Sequence, residues 1–227
     1  MLVSDRRSRF EGRALRRDII RTCLQMNALG INQGTSGNVS ARVDDGLLIT
    51  PSGVPYEEMR TEDIVHLRPD ATHDGVLPPS TEWRFHLDII TTRPEIGAVV
   101  HTHPTFATTL AIMGRDIPAL HYMIAAAGGN SIRCAPYATF GTEELSANAL
   151  AALDDRAACL LAHHGMIATG PTLQKALWLA VEVETLARQY YHTLLLGGPP
   201  LLPDDEIERV RQKMQGYGAN ARPRRDG

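Results

Sequence analysis

The apolar positions of this chain change period several times, and each change marks an element. From Ala14 to Leu29 they recur at Leu15, Ile19, Cys23, Met26 and Leu29, a helical stripe that Gly30 stops. The basic run from Arg6 to Arg13 ahead of it predicts a frayed start. Alternation then takes over: Val39 to Val43 and Leu47 to Thr50 flank Asp44-Asp45-Gly46, a hairpin signal. Ile64 to Leu67 predicts another strand, and Asp70 to Pro79 a loop. Helical spacing returns from Glu82 to Thr91, with Trp83, Leu87 and Ile90 on one side and Ser80 or Thr81 as cap. Ala98-Val99-Val100 reads as the end of a buried strand, and Ala107 to Met113 as a short helix. Ile117 to Ile124 leads into Ala125 to Asn130, where the pattern predicts no element. Glu143 to Leu153, capped by Thr142, predicts a helix, and Ala157 to Ala162 is a further apolar run. Thr172 to Leu196 predicts the longest helix, with Leu173, Leu177, Ala180, Ala187 and Leu194 buried and Gly197-Gly198 as its stop. Asp204 to Gln215 predicts a last helix, and Ala219 to Gly227 a disordered tail. No repeat or linker interrupts the series, so residues 1–218 are expected to form one α/β domain.

Composition narrows the function. With 227 residues the chain can bury a full core. A net charge of −3 and 22% charged residues predict neither a nucleic-acid surface nor a polybasic membrane face. The apolar runs are too short to span a bilayer, and Met1 to Arg7 lacks the apolar core of a secretory signal. Cys23, Cys134 and Cys159 are scattered without metal-type spacing, which favours a reduced, cytoplasmic setting.

The chemistry gathers around His101-Thr102-His103-Pro104. Side chains two apart on a strand share a face, so two imidazoles emerge together at a strand end. They are either a hydrogen-bonded pair or the first two ligands of a divalent metal. A second cluster, His163-His164-Gly165, follows the run from Ala157 to Ala162, and on extended backbone only one of its histidines can join the first two. Glu82, at a helix start, is an available carboxylate, although the helix dipole alone would favour an acid there. Three histidines and a carboxylate suit zinc, with the carboxylate as ligand or base. Three small polar turns, Gly34-Thr35-Ser36-Gly37-Asn38, Thr50-Pro51-Ser52-Gly53 and Pro79-Ser80-Thr81, are either unrelated surface turns or a phosphate cradle of hydroxyls and free backbone N–H groups. His66, His73, His86, His121 and His192 lack metal-pair spacing and are expected at the surface or packed; Tyr122 is expected as a core tyrosine rather than an acid, and Trp83 and Trp178 fit helix packing. Two other His-x-His folds fail. A cupin needs a glutamate three or four residues on, where Phe106 and Ala107 stand. An amidohydrolase barrel carries the pair on its first strand in a chain of roughly 250 residues or more.

Several stretches together resemble the class II aldolase/adducin family: Gly34 to Ser40, Ile49 to Gly53, Ser80-Thr81-Glu82-Trp83-Arg84-Phe85-His86, and Val99 to His103. His121 to Asn130, Ala135 to Gly141 and His163-His164-Gly165 resemble its L-fuculose-1-phosphate aldolase branch. The likeness runs in order from about Leu15 to Gly218. It implies a three-layer α/β/α domain with a central, largely antiparallel sheet. It implies one zinc ion per subunit on His101, His103 and His164, with Glu82 as fourth ligand at rest. It implies a phosphate site from Asn38, Ser52, Gly53, Ser80 and Thr81, with Thr35 nearby. Tyr122 matches a tyrosine that works from a neighbouring subunit, and Tyr217 matches a C-terminal tyrosine near the active site. A homotetramer with active sites between subunits is implied. Thr81 and Ser52 exchange hydroxyl for hydroxyl relative to the family pattern. Arg133 in place of a proline and Met214 in place of a bulkier aromatic bear on aldehyde specificity.

The function so implied is reversible cleavage of a ketose 1-phosphate, such as L-fuculose 1-phosphate, into dihydroxyacetone phosphate and an aldehyde such as lactaldehyde. Glu82, its pKa raised by burial, would shuttle the proton. Competing readings are an epimerase or methylthioribulose-phosphate dehydratase of the same scaffold, an aldolase for a 5-deoxyketose phosphate, and a non-catalytic adducin-like module.

Overall fold

Alternation along the strands sorts the core into two halves, one on each side of a sheet. The computed structural model describes residues 2–216, with side chains from residues 12 to 214. Its strands are β1 (Asn38–Val43), β2 (Gly46–Ile49), β3 (Val65–Leu67), β4 (His73–Asp74), β5 (Ala98–Thr102), β6 (Arg133–Ala135), β7 (Ala158–Leu161) and β8 (Gly165–Gly170). Its helices are α1 (Leu2–Ala28), α2 (Trp83–Thr92), α3 (Thr105–Ile112), α4 (Glu143–Ala152), α5 (Leu173–Leu195) and α6 (Asp204–Gly216). The eight strands form one sheet in the order β4-β3-β2-β1-β5-β8-β7-β6. Every pairing is antiparallel except β6 with β7. Ala98, Val100, Leu160 and Ala168 pack with α1, α3 and α5 on one face; Val99, Cys159, Leu161 and Ile167 pack with α2 and α4 on the other. The result is the α/β/α sandwich with a largely antiparallel sheet that the resemblance implies.

Most elements fall where the periodicity puts them. The β1–β2 hairpin closes on Asp44-Asp45, with Val43 opposite Gly46. Thr142 caps α4 through the N–H of Leu145, and Thr172 caps α5 through that of Lys175. Four differences have local causes. The helix α1 starts at Leu2, so the basic run is helical backbone rather than frayed; arginine and leucine are good helix formers. The loop after β3 holds the two-residue strand β4, which pairs His73 with Leu67. The Ala125 region is a 3-10 turn, Tyr122–Ala127, whose first amides are capped by His121. Strands β6 and β8 were not expected, because β6 is three residues long and β8 is bounded by glycines. The predicted tail, Ala219 to Gly227, and Tyr217 lie outside the described residues.

Register positions the chemistry. Asn38 lies opposite His101 and Ser40 opposite Val99, so these four side chains share one face of the sheet. The helix α2 packs over that face, bringing Glu82 and His86 onto Asn38 and Ser40. Arg42 fastens α2 from below, donating to the carbonyls of Ile90, Arg93 and Ile96 at its C-terminal end.

Candidate active site and metal centre

Four side chains from three segments converge. Among the described residues, Glu82, His101, His103 and His164 form the one group of metal-ligating side chains, their ligand atoms within 4.8 Å of one another. His101 and His103 come from the end of β5, as the alternation predicts. His164 comes from the turn between β7 and β8. There His163 has φ of 54°, so the backbone is not extended, and the two adjacent imidazoles diverge because the chain turns. His163 is exposed and meets Tyr137 edge-on, with ring centroids 6.0 Å apart. The three converging rings form a near-equilateral triangle, each pair of centroids 4.8 Å apart.

The donor chemistry of this group suits a cation. His101 Nδ1 lies 2.9 Å from the carbonyl of Met166, so it carries a proton and donates it there. In a neutral ring that leaves Nε2 as a lone pair, yet Nε2 faces Glu82 Oε2 at 3.1 Å and His103 Nε2 at 2.9 Å. Glu82 Oε1 is buried with no hydrogen-bond donor, although His164 Nε2 lies 3.0 Å away. Lone pairs face lone pairs, and one divalent ion among them would satisfy all four residues. Burial would raise the Glu82 carboxyl, but positive charge at the His101 and His164 positions, which a divalent ion held there would also supply, outweighs it and holds it well below the usual carboxylate range. This corrects the expectation that Glu82 is a carboxylate raised by burial. Burial, with His101 and His164 adding to it, pushes His103 down to about 3, leaving it a neutral ligand.

The surrounding shell is built for close fit. Glu82 is the N-cap residue of α2, but its side chain makes no cap hydrogen bond and turns instead to the three histidines. Its Oε2 accepts from Asn38 Nδ2 at 2.9 Å. Beyond His103, the Glu184 carboxylate accepts from the amides of Phe106 and Ala107 at 2.9 and 2.8 Å and anchors the start of α3. Only glycine fits at position 165: a Cβ there would lie 2.5 Å from His103 Cδ2 and 2.6 Å from the Thr102 carbonyl. Gly165→Ala is therefore expected to keep the far-ultraviolet circular dichroism of the fold while weakening zinc binding at least about 10-fold, measured by chelator competition. Unchanged affinity would mean that His103 can shift without leaving the site.

The three polar turns lie together near Glu82. Ser52 donates its amide to Pro78 and Ser80 to Thr50, tying the second turn to the third. Those two amides are spent within the fold and are not free for an anion. Val39, next to Asn38, bonds both ways with Thr50 and so ties in the first. Thr35, Ser52, Gly53 and Thr81 are exposed, whereas Ser80 and Asn38 are buried. The Asn38 amide is engaged on both sides, by Glu82 and by His86. Tyr122 is 50% exposed and leans on His121, outside the four-residue group. Arg133 donates to the carbonyl of Asp154 beyond the end of α4. Met214 packs on the α1–α5 side of the core.

One residue of the site escaped the sequence reading. His86, expected to be an ordinary packed histidine, is completely buried and bonds Ser40 and Asn38 behind Glu82. Burial, reinforced by His101 and opposed by Glu82, pushes it down to about 3, so its ring is neutral. The signal was available: a histidine four residues after Glu82 lies on the same face of α2 as buried Phe85, Ile89 and Ile90.

Comparison with known proteins decides the family. Residues 17–191 match the model of the class II aldolase and adducin N-terminal domain. The chain belongs to this family. It is 57% identical over 208 residues to a 5-methylthioribulose-1-phosphate/5-deoxyribulose-1-phosphate aldolase of Rhodospirillum rubrum, covering 92% of this chain and 94% of that one. It is 54% identical over 210 residues to the L-fuculose phosphate aldolase of Escherichia coli K12, covering 92% and 98%. A solved L-fuculose 1-phosphate aldolase superposes with a TM-score of 0.87 at 38% identity, over 89% of this chain and 96% of that one. This class II aldolase is an enzyme, a lyase of a metal-dependent family, and its Glu82 and three histidines could hold the ion. Among the described residues, no helix is long and apolar enough to cross a membrane.

Proposed function

We propose that this class II aldolase reversibly cleaves a ketose 1-phosphate between its third and fourth carbons, giving dihydroxyacetone phosphate and an aldehyde, with zinc as its ion. The observation that carries the reading is the His101–His103–His164 triangle facing Glu82 beside hydroxyl-bearing turns. A zinc ion held there would supply Lewis acidity for the negative charge left when the carbon–carbon bond breaks, worth several kcal/mol. Thr35, Asn38, Ser52, Gly53, Ser80 and Thr81 bind the phosphate, so contacts remote from the reacting bond orient it. Tyr122, contributed by a neighbouring subunit, takes the proton of the fourth-carbon hydroxyl during cleavage and returns it to the aldehyde oxygen during condensation. Glu82, protonated from solvent, delivers its proton to the third carbon of the departing three-carbon fragment and removes it in the reverse direction, and exchange with solvent returns Glu82 and Tyr122 to their starting states. Tyr217 completes the site from the C-terminal segment. Exposed Tyr122, Tyr137, Phe140, Ile112 and Met113 favour a homotetramer that covers them. The free cysteines suit a cytoplasmic enzyme.

The aldehyde end has two candidates. L-fuculose 1-phosphate would yield lactaldehyde; the 57% likeness to the Rhodospirillum rubrum aldolase favours a 5-deoxy or 5-methylthio pentulose 1-phosphate equally well. A coupled assay of dihydroxyacetone phosphate release separates them. Turnover is expected with at least one of L-fuculose 1-phosphate, 5-deoxyribulose 1-phosphate and 5-methylthioribulose 1-phosphate, and it should vanish with chelator and return with zinc. No release from any of the three, with zinc bound, would overturn the reading.

A further inference from the structure

Behind Glu82 a line of buried polar groups runs from the metal group into the sheet. Glu82 Oε2 faces Asn38 Nδ2 at 2.9 Å, the other side of that amide faces His86 Nε2, and His86 Nδ1 lies 2.7 Å from Ser40 Oγ. Ser40 and His86 are fully buried. Chemistry allows this line one direction. A carboxylate only accepts, so the Asn38 NH2 must face Glu82 and its Oδ1 must face His86. An amide oxygen only accepts, so His86 Nε2 must carry the proton. The neutral ring then has its lone pair on Nδ1, which accepts from the Ser40 hydroxyl. The carboxylate orients the amide, the amide oxygen fixes the tautomer, and the Ser40 hydroxyl holds that tautomer by donating to Nδ1; the amide gives Glu82 a donor on Oε2 alone. Oε1 is left without one, turned toward His164.

We propose that His86 and Ser40 are positioning residues: through Asn38 they fix Glu82 by its Oε2, so that Oε1 is the oxygen left turned toward His164. The role rests on the reading of Glu82 as the proton-transfer group, and neither residue touches the substrate. Without the His86 N–H, the Asn38 amide can reverse and set its carbonyl against the carboxylate.

Three variants test this, each read by zinc affinity in competition with a chromophoric chelator and by kcat and KM for the preferred ketose 1-phosphate. His86→Leu is expected to lower kcat and weaken zinc binding by about 10–100-fold each while KM moves less than about 3-fold, the behaviour of an outer-shell partner. His86→Gln, whose amide offers both an N–H and an oxygen, should recover most of both. Ser40→Ala, which leaves Nδ1 without its donor but keeps the ring, should fall between wild type and His86→Leu. A merely space-filling role would let leucine do as well as glutamine. Wild-type values in both His86→Leu and Ser40→Ala overturn the proposal, and if His86→Leu does not fold, Ser40→Ala with wild-type values does so alone. A wild-type protein inert on every ketose 1-phosphate, yet showing this order of zinc affinities, would sink the aldolase reading and leave the positioning role supported.

Discussion

His164→Ala is expected to give a folded protein with less than about a tenth of a zinc ion per chain after desalting, and with turnover lost in parallel. The side chain leaves from a turn and points into the polar group around Glu82 rather than into either apolar cluster, so its removal costs the core little. What it removes is the third imidazole and the nitrogen 3.0 Å from Glu82 Oε1. Two histidines and a carboxylate then remain, one protein ligand short of a closed resting set. His163→Ala is the matched control. Its ring points to solvent and touches Tyr137, so metal content and rate should stay at the wild-type level. Elemental analysis of the two purified variants checks the pair. Metal lost from His163→Ala and kept in His164→Ala would place the wrong neighbour in the site.

Glu82→Gln should separate binding from chemistry. A glutamine has the same shape and can turn its oxygen to Asn38 Nδ2, so the fold is expected to survive. It cannot accept and return a proton. The expected loss in kcat is about 10²–10⁴-fold, the usual contribution of a positioned acid–base group, or roughly 3–5 kcal/mol of barrier. Steady-state rates on zinc-loaded protein, with metal content measured on the same sample, decide it. Wild-type kcat in that variant would remove Glu82 from the proton transfer.

Much of this arrangement was legible in the chain because it is local. His101 and His103 share a face through strand alternation alone, and the hairpin around Asp44-Asp45 is written in its flanking residues. The convergence of Glu82 and His164 on that pair was suggested by residue type, and the family likeness then specified it. What stayed hidden depends on pairing between distant segments. The register of β1 on β5 sets Asn38 against His101, and no local pattern announces it. Strands β6 and β8 gain their status from β7, which each borders, rather than from their own residues. The Glu82 carboxyl was misjudged because burial was weighed without the rings facing it. His86 has no metal-pair spacing to another histidine, and the signal it does carry is its place on the buried face of α2.

The central claim is a single ion shared by three imidazoles from two distant segments. X-ray absorption at the zinc edge, on protein purified without added metal, tests it most directly. The expected result is about one zinc per chain, bound by nitrogen and oxygen at about 2.0–2.1 Å with scattering from three imidazoles. A protein free of transition metal, or a zinc shell containing sulfur or fewer than two imidazoles, would contradict it.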